Sequence, residues 1–585
     1  MTGTSGIAKV SDIIAEQLAL HGCNVIFGVS GGASLHLLQS IIDHPKLRLI
    51  TVHHEQTVAM AAEAYSRITG KMGVGVVTSG PGATNLTTGI AGAYFDSVPC
   101  LFLTGQVSTF RRSKGLGVRQ YGFQETPTSQ IFQSITKRVI EIEDANQVFN
   151  AMSEAFMVAL EGRPGPVVID IPDNIQREIE VLPGELDRKR GNRPQSIQSD
   201  LLRDAPDLTG IQSLIKESLR PVIVCGWGSV LAKKESEFLD LLDTWKVPAA
   251  LTWGAKHLVP DDREYLLGSF GTHGNRTANR AIQESDLIIS FGSRLDTKAT
   301  GSPPDSFAPG SKIFLFDIDI NEIKKFDNKG VKIDGHLEVD FRDADFSKIL
   351  EVLKDTKWNS PKVEEWQSHI KENLSYKEEY PSNSQYVNPY KFLTEVSEVA
   401  PSLCRVIVDT GCSIAWVMQA WKVKAGQRIY HDFNNTAMGW SIPASLASMS
   451  TLDSILTICI VGDGSLMMTI GELATLHAQE SPLIIFIMNN SGYSMIRQTQ
   501  DQWFNSKYFA SDSSTGMAFP NYRTLAQAFG FDYLFLKNDL EIHEIGKLLT
   551  GYKGKLVVEI LLDPLARVIP QNRFGSPIDV MDPCI

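Results

Sequence analysis

Short apolar runs recur along the whole chain, each closing on or beside Gly, Asp, Asn, Ser or Pro. They are Gly73-Val-Gly-Val-Val-Thr-Ser, Pro166-Val-Val-Ile-Asp-Ile-Pro, Pro221-Val-Ile-Val-Cys-Gly, Asp286-Leu-Ile-Ile-Ser-Phe-Gly and Lys312-Ile-Phe-Leu-Phe-Asp, then Arg405-Val-Ile-Val-Asp-Thr-Gly, Ile455-Leu-Thr-Ile-Cys-Ile-Val-Gly-Asp and Pro482-Leu-Ile-Ile-Phe-Ile-Met-Asn-Asn. They are apolar throughout rather than alternating, the pattern of strands buried on both faces of a parallel sheet. The stretches between them are long enough for crossover helices, and several open with Gly or Ser and a polar cap. Two polar, charged stretches, 183–207 and 355–389, interrupt the series. Boundaries placed there predict an α/β protein of three doubly wound domains with mainly parallel sheets: 1–185, 186–358 and 359–585. Ligands of such domains sit beyond the carboxyl ends of the strands.

Composition narrows the class without naming a function. The chain has 585 residues, too many for one core. Hydrophobic residues at 43% and charged residues at 21% are those of an ordinary globular protein. A net charge of −12 argues against a nucleic-acid surface, which needs clustered Lys and Arg. The seven cysteines form no C-x-x-C pair. No secretory core is visible near Ser11, and no apolar run approaches the roughly 20 residues that span a bilayer. The expectation is a cytoplasmic protein with neither nucleic-acid nor membrane partners.

The strongest chemical signal is in the last third. Gly462-Asp463-Gly464-Ser465 follows one apolar strand, and Asn489-Asn490 closes the next. Asp463 and Asn490 are 27 positions apart, so a strand–helix–strand unit brings the two strand ends side by side. A carboxylate and an amide oxygen together are the hard donors that Mg²⁺ prefers. Gly464 and Ser465 then open a helix expected over Leu466–Ala478, whose first amides and dipole suit a diphosphate. Taken singly, Gly-Asp-Gly also reads as a turn and Asn-Asn as a strand-end cap.

The pair resembles the signature of thiamine-diphosphate enzymes. That resemblance implies Asp463, the Asn490 side chain and the Gly492 carbonyl as Mg²⁺ ligands, with Gly464 and Ser465 at the diphosphate. It also gives Glu55, in His53-His54-Glu55-Gln56, a role beyond that of a helix-start acid: a carboxyl group at N1′ of the cofactor's aminopyrimidine. Ser79-Gly-Pro-Gly-Ala-Thr-Asn85, Thr104-Gly-Gln-Val107, Gly122-Phe-Gln-Glu-Thr-Pro127, Ser134-Ile-Thr-Lys137 and Pro164-Gly-Pro-Val-Val-Ile-Asp-Ile-Pro172 resemble the acetolactate synthase branch over nearly the whole chain. Phe123, Gln124 and Lys137 match its pocket positions. Thr436-Ala-Met-Gly439 is similar to a family Gly-Thr-Met-Gly, which implies Met438 as a wedge between the cofactor rings and Thr436 as a carbonyl partner of the 4′-amino group. Without the resemblance Met438 reads as a core residue.

In the middle domain, 271–275, 292–301 and 317–319 resemble the FAD-binding segments of that branch. They supply Gly271, His273, Gly292, Arg294 for a pyrophosphate, and Asp317 or Asp319 for ribose or adenine. Gly226 and Gly228 allow close backbone approach. Related decarboxylases leave this domain empty or give it to a nucleotide.

Two positions depart from the branch. Thr499 stands where acetolactate synthases carry a Trp, which removes a large apolar wall. Gly411-Cys-Ser-Ile-Ala replaces a Gly-x-Gly-Gln-His, leaving Ser413 as the phosphate-side donor. The resemblance implies a carboligase that decarboxylates a 2-keto acid such as pyruvate and passes the two-carbon unit to a carbonyl acceptor. The acceptor is a second keto acid or, given Thr499, a keto-sugar nucleotide. A C–C hydrolase, a simple decarboxylase and a non-catalytic cofactor-holding subunit are the other readings. The resemblance also implies a homodimer or homotetramer, with Glu55 reaching the cofactor held by another copy.

Overall fold

The computed structural model describes residues 7–181, 207–327, 329–549 and 551–584, so the boundary expected at 185/186 lies outside the described residues. Three six-stranded sheets carry the chain, all parallel, and each expected apolar run forms a strand in one of them. In the first sheet the strands lie in the order Arg48–Thr51, Val25–Gly28, Gly73–Val77, Cys100–Gln106, Val167–Pro172, Arg138–Glu141. The third sheet repeats that topology: Arg428–Tyr430, Cys404–Val408, Leu456–Gly462, Leu483–Asn489, Lys555–Leu561, Asp532–Leu536. In both, the chain reverses direction across the sheet between the first strand and the third, which opens a crevice at their carboxyl ends.

The middle sheet is wired differently. Its order is Leu266–Ser269, Ala249–Leu251, Pro221–Cys225, Leu287–Phe291, Lys312–Asp317, Gly335–Glu338. Numbered along the chain this is 3-2-1-4-5-6, the arrangement that binds dinucleotides at its switch point. Helix Ser360–His369 and the turns to Leu374 place Val363, Trp366, Ile370 and Leu374 in the two cores flanking this sheet. The packing of the middle unit therefore continues past residue 358. The polar stretch there is amphipathic, with its apolar residues turned onto the sheet.

The first and third units share a core. Helix Glu55–Thr69 packs against helix Ser441–Met449, and buried Val58, Met60 and Tyr65 join Ile442, Leu446, Cys459 and Ile485 in one cluster. Both helices are rich in Ala and Ser, which lets their backbones approach closely. The last segment crosses back to the middle unit: Asn279 Nδ2 donates to the Ile578 carbonyl (2.8 Å), and Asn572 N to the Thr272 carbonyl (2.7 Å).

Candidate active site

Asp463 sits at the carboxyl end of Leu456–Gly462, beside the switch point of the third sheet, and is 2% exposed. Its Oδ1 accepts from Gly464 N (2.7 Å) and its Oδ2 from Gly492 N (3.1 Å). Burial outweighs these bonds and pushes its carboxyl up to about 6. Among the described residues no cationic side chain forms an ion pair with it. Asn490 is 5% exposed, and its Oδ1 accepts from Arg497 Nη2 (3.2 Å). The same Arg497 nitrogen donates to the Asn490 carbonyl (3.0 Å) and Ser494 Oγ (3.2 Å), which holds the loop in shape. Asp463 and Asn490 thus come together through the Gly492 amide, as the spacing predicts.

This donor set fits Mg²⁺ of a particular kind. No group of three or more His, Cys, Asp or Glu among the described residues could cage a metal. One buried carboxylate and neutral oxygens suit a cation that takes its remaining ligands from a diphosphate and water. Tyr493 closes the loop over Gly464: a Cβ on Gly464 would lie 2.8 Å from Tyr493 Cδ1, so only glycine fits beneath the ring. Ser413 is 3% exposed, with its Oγ 3.8 Å from a Cβ built on Gly462, and Ser465 faces the same point at 3.9 Å.

The expected helix Leu466–Ala478 is not continuous. It breaks into a turn at Asp463–Leu466, a 3₁₀ turn at Ile470–Glu472 and a short helix Leu473–His477. At the break the chain meets the segment that carries Met438. Thr469 Oγ1 donates to the Gly439 carbonyl (2.9 Å), and a Cβ on Gly439 would meet Met468 Cβ at 2.7 Å. A four-residue turn has little dipole to offer a diphosphate, and the Gly464 amide is already bonded to Asp463. The case for the diphosphate therefore rests on the metal and the loop.

Two buried carboxylates that sequence reasoning passed over hold this segment in place. Asp409 ends the first strand of the third sheet and accepts from Gly439 N (3.1 Å) and Ser441 N (2.9 Å). Asp432 accepts from Ala437 N (2.9 Å). Between them Thr436 adopts φ +50°, a left-handed conformation that a β-branched residue rarely takes. Thr436 and Met438 are half-buried. The signal for Asp409 was present: an acid closing the apolar run that neighbours Gly462-Asp463.

Glu55 opens its helix at the carboxyl ends of the first sheet, capped by His54, whose side chain accepts from Gln56 N. Its Oε2 accepts from Asn85 Nδ2 (2.9 Å), and its Oε1 lies 3.6 Å from a Cβ built on Gly82. Gln124, at φ +65°, covers Gly80 so closely that a Cβ built there would lie 3.0 Å from Gln124 Cβ, so the Ser79–Asn85 motif gathers Glu55 and Gln124 at one rim. Phe123 is 86% exposed there. The Lys137 Nζ donates to the Glu161 carbonyl, its stem packs on Gly165, and burial lowers its pKa to about 8. No described contact joins Glu55 to Asp463, Asn490 or Met438. The next acid along the helix, Glu63, is buried and bonded to Arg67 and to Trp440 Nε1.

A cavity opens at the switch point of the middle sheet, lined mainly by the middle unit. Gly292, Arg294, His273 and Asp317 line it, with Gly228, Trp253 and Lys298. The Gly226 turn meets the next strand's loop so closely that a Cβ would lie 2.5 Å from Ser293 Cα. Gly271 lies behind the wall at φ +100°, its amide donating to Asn279 Oδ1 (2.8 Å). Both His273 ring nitrogens are buried without a hydrogen-bond partner, and burial lowers its pKa to about 3, so it faces the cavity neutral. Asp317 is raised to about 6 by burial. Asp319 is instead engaged by Arg163 Nη1 (3.1 Å), and Arg294 Nε donates to Glu322 (2.9 Å). A wall with close-packed glycines, guanidinium groups at its edge and an orphaned imidazole fits a dinucleotide.

Comparison with known proteins accords with this geometry. Three thiamine pyrophosphate enzyme family models match: the N-terminal TPP binding domain over 8–132, the central domain over 208–339 and the C-terminal TPP binding domain over 409–560. The chain is 33% identical over 559 residues to the acetolactate synthase large subunit of Porphyra purpurea, covering 93% of this chain and 90% of that protein. It is 29% identical to the acetolactate synthase isozyme 2 large subunit of Escherichia coli (strain K12), with 95% and 96% covered, and 29% identical to the chloroplastic acetolactate synthase of Arabidopsis thaliana, with 97% and 83% covered. Among the described residues no helix is long and apolar enough to cross a membrane. With three family domains in order on three sheets of the matching kind, and relatives aligned over nearly its whole length, the chain belongs to the thiamine pyrophosphate enzyme family.

Proposed function

We propose that the protein is a Mg²⁺-dependent carboligase that decarboxylates a 2-keto acid, pyruvate in the first instance, and transfers the two-carbon unit to a carbonyl acceptor. The observation that carries this reading is the buried Asp463, in no ion pair among the described residues, beside Asn490 and Gly492, at a strand-end crevice of the sheet whose first strand pins the Met438 segment. Thiamine diphosphate, when bound, supplies the ring chemistry that stabilises negative charge on the former carbonyl carbon. Asp463, Asn490 and the Gly492 carbonyl would hold Mg²⁺ to its diphosphate. Glu55, oriented by Asn85, would hold a proton at N1′ of the aminopyrimidine, and Met438 with the Thr436 carbonyl would set the ring geometry. Gln124 and Phe123 stand at the rim where an acceptor enters.

Glu55 and Asp463 make no contact within one chain, so the reading includes a homodimer in which one copy's Glu55 serves its partner's Asp463 site. Exposed Phe110, Leu116, Tyr121 and Phe123 on the first unit and Ile496, Trp503, Phe504 and Phe509 on the third provide apolar surface for that contact. FAD in the middle cavity completes the holoenzyme, in a structural role, because carboligation transfers no net electrons.

A second acceptor class, a keto-sugar nucleotide yielding a branched-chain sugar, is favoured by Thr499. Its Oγ1 turns back to the Met495 carbonyl (3.1 Å), leaving a short side chain between exposed Ile496 and Trp503 on one helix face. Incubation with pyruvate, thiamine diphosphate and Mg²⁺ tests the reading through CO₂ release with and without each acceptor. No CO₂ under any condition refutes it. Release that ignores every acceptor leaves a simple decarboxylase.

A further inference from the structure

The segment Asp432–Gly439 belongs to two sites at once. At its start, Phe433 and Asn434 line the middle cavity; four residues after Asn434 comes Met438. The start is tied to the same cavity wall. Asn434 Nδ2 donates to Asp96 Oδ1 (2.7 Å) and to the Phe95 carbonyl (3.1 Å), Phe433 N donates to Asp96 Oδ2 (3.3 Å), and both Phe95 and Asp96 line the cavity. Trp227, another wall residue, donates from Nε1 to the Asp96 carbonyl (2.8 Å) and meets the Phe433 ring edge-on at 5.6 Å. Asp96 is anchored in turn by buried Arg67, whose guanidinium lies against the Trp227, Phe433 and Trp440 rings at 5.1–5.6 Å. The far end of the segment is pinned by Asp409 at Gly439. Between these fixed points Thr436 is left-handed at φ +50°.

A ligand against Trp227 and Phe433 restricts the near half of this segment, and a ligand against Met438 restricts the far half. Hydrogen-bonded at both ends and with little slack between them, the segment shifts as one piece, so a first ligand that sets the position of one half also sets the other. The second ligand then binds to a segment already set, and the effect must be equal in both directions. We propose that a dinucleotide in the middle cavity and thiamine diphosphate in the Asp463 site bind cooperatively through residues 432–439, with Asn434, bonded to Asp96, as the positioning residue that links them. This rests on the reading above of which cofactor occupies which place.

The test uses the full-length protein stripped of cofactors, with Mg²⁺ present throughout. Thiamine diphosphate is titrated by calorimetry with and without saturating FAD, and FAD with and without saturating thiamine diphosphate. Each should tighten the other by the same factor, about five-fold or more. In Asn434→Ala, whose side chain is itself part of the cavity wall, the factor within the variant should fall to near one whatever the change in its affinity for FAD alone. Asn435→Ala, which removes only a bond to the Thr88 carbonyl outside the cavity, should keep the factor. If both cofactors bind and ignore each other in the wild-type protein, the coupling is refuted and the cofactor assignment stands. If FAD does not bind at all, the assignment of the cavity fails and the coupling with it. A factor undiminished in Asn434→Ala refutes Asn434 as the link. The wild-type titrations decide the coupling even should that variant fold poorly.

Discussion

Gly464→Ala isolates the geometry of the metal loop, because the change adds one methyl group and no charge. Built on the present backbone, that methyl carbon lies 2.8 Å from Tyr493 Cδ1 and 3.3 Å from Cζ, with Cε1 closer still. Carbon atoms rest at about 3.5–4.0 Å, so the ring must retreat by about 1 Å or more. Tyr493 is half-buried and follows directly on Gly492, whose amide holds Asp463 Oδ2, while its own amide donates to the Ser511 carbonyl (2.8 Å). Retreat of the ring that carries its backbone along draws Gly492 away from Asp463 and opens the donor set, and this is the outcome the variant tests. Overpacking of this kind costs about 1–3 kcal/mol, and a misplacement of about 1 Å at reacting groups costs about 10²-fold in rate. Thiamine diphosphate affinity, followed by calorimetry at saturating Mg²⁺, should fall by about 10–100-fold, with turnover falling at least as far. Gly471→Ala, where a Cβ meets nothing within 4 Å, should leave both unchanged. Full-affinity binding by Gly464→Ala, with a melting profile like that of wild type, would refute the loop as the diphosphate cradle.

Other expectations follow from single contacts. Glu55→Gln should retain thiamine diphosphate but slow exchange of the cofactor's C2 proton for deuterium, since an amide cannot relay the proton; about 10²–10⁴-fold is the scale for a positioned acid–base group. Wild-type exchange, read by NMR after acid quench, would return Glu55 to a helix-start acid. Thr499→Trp should shift acceptor preference toward small keto acids, measured as the ratio of products in competition; an unchanged ratio removes position 499 from the acceptor site. Asp170 is 1% exposed, and burial raises its carboxyl from 3.8 to about 6 despite bonds from Thr104 and Gln106. The folded chain thus binds this proton more tightly than the unfolded one, so its contribution to stability falls as pH rises from about 4 to about 6 and is level above. Asp170→Asn should flatten that decline, at most about 3 kcal/mol, in denaturant midpoints taken across the window. An identical pH profile in the variant would contradict the shift.

Much of this protein was written in local pattern. Each of the eight uniformly apolar runs forms a strand, because a strand covered on both faces needs apolar residues at consecutive positions, although equally long Cys100–Gln106 and Lys555–Leu561 were not among them. The 27-residue spacing was enough to bring Asp463 and Asn490 together, since one strand–helix–strand unit is a local object. Glu55 at a helix start and Gly226 at a close backbone approach were legible for the same reason. What lay beyond one unit was not. Strand order depends on which distant segments meet, so the 3-2-1-4-5-6 sheet and its cavity emerged only from the tertiary structure. The helix expected at Leu466–Ala478 is interrupted around Thr469-Ile470-Gly471, where Thr469 bonds instead to the Gly439 carbonyl from another part of the chain. The partners of Lys137, the Glu161 carbonyl and Gly165, likewise could not be read from its motif. Asp409, Asp432 and Asp96 looked like ordinary strand-end or turn acids. Their importance came from which buried amides they face across the core, a property of juxtaposition that no periodicity along the chain records.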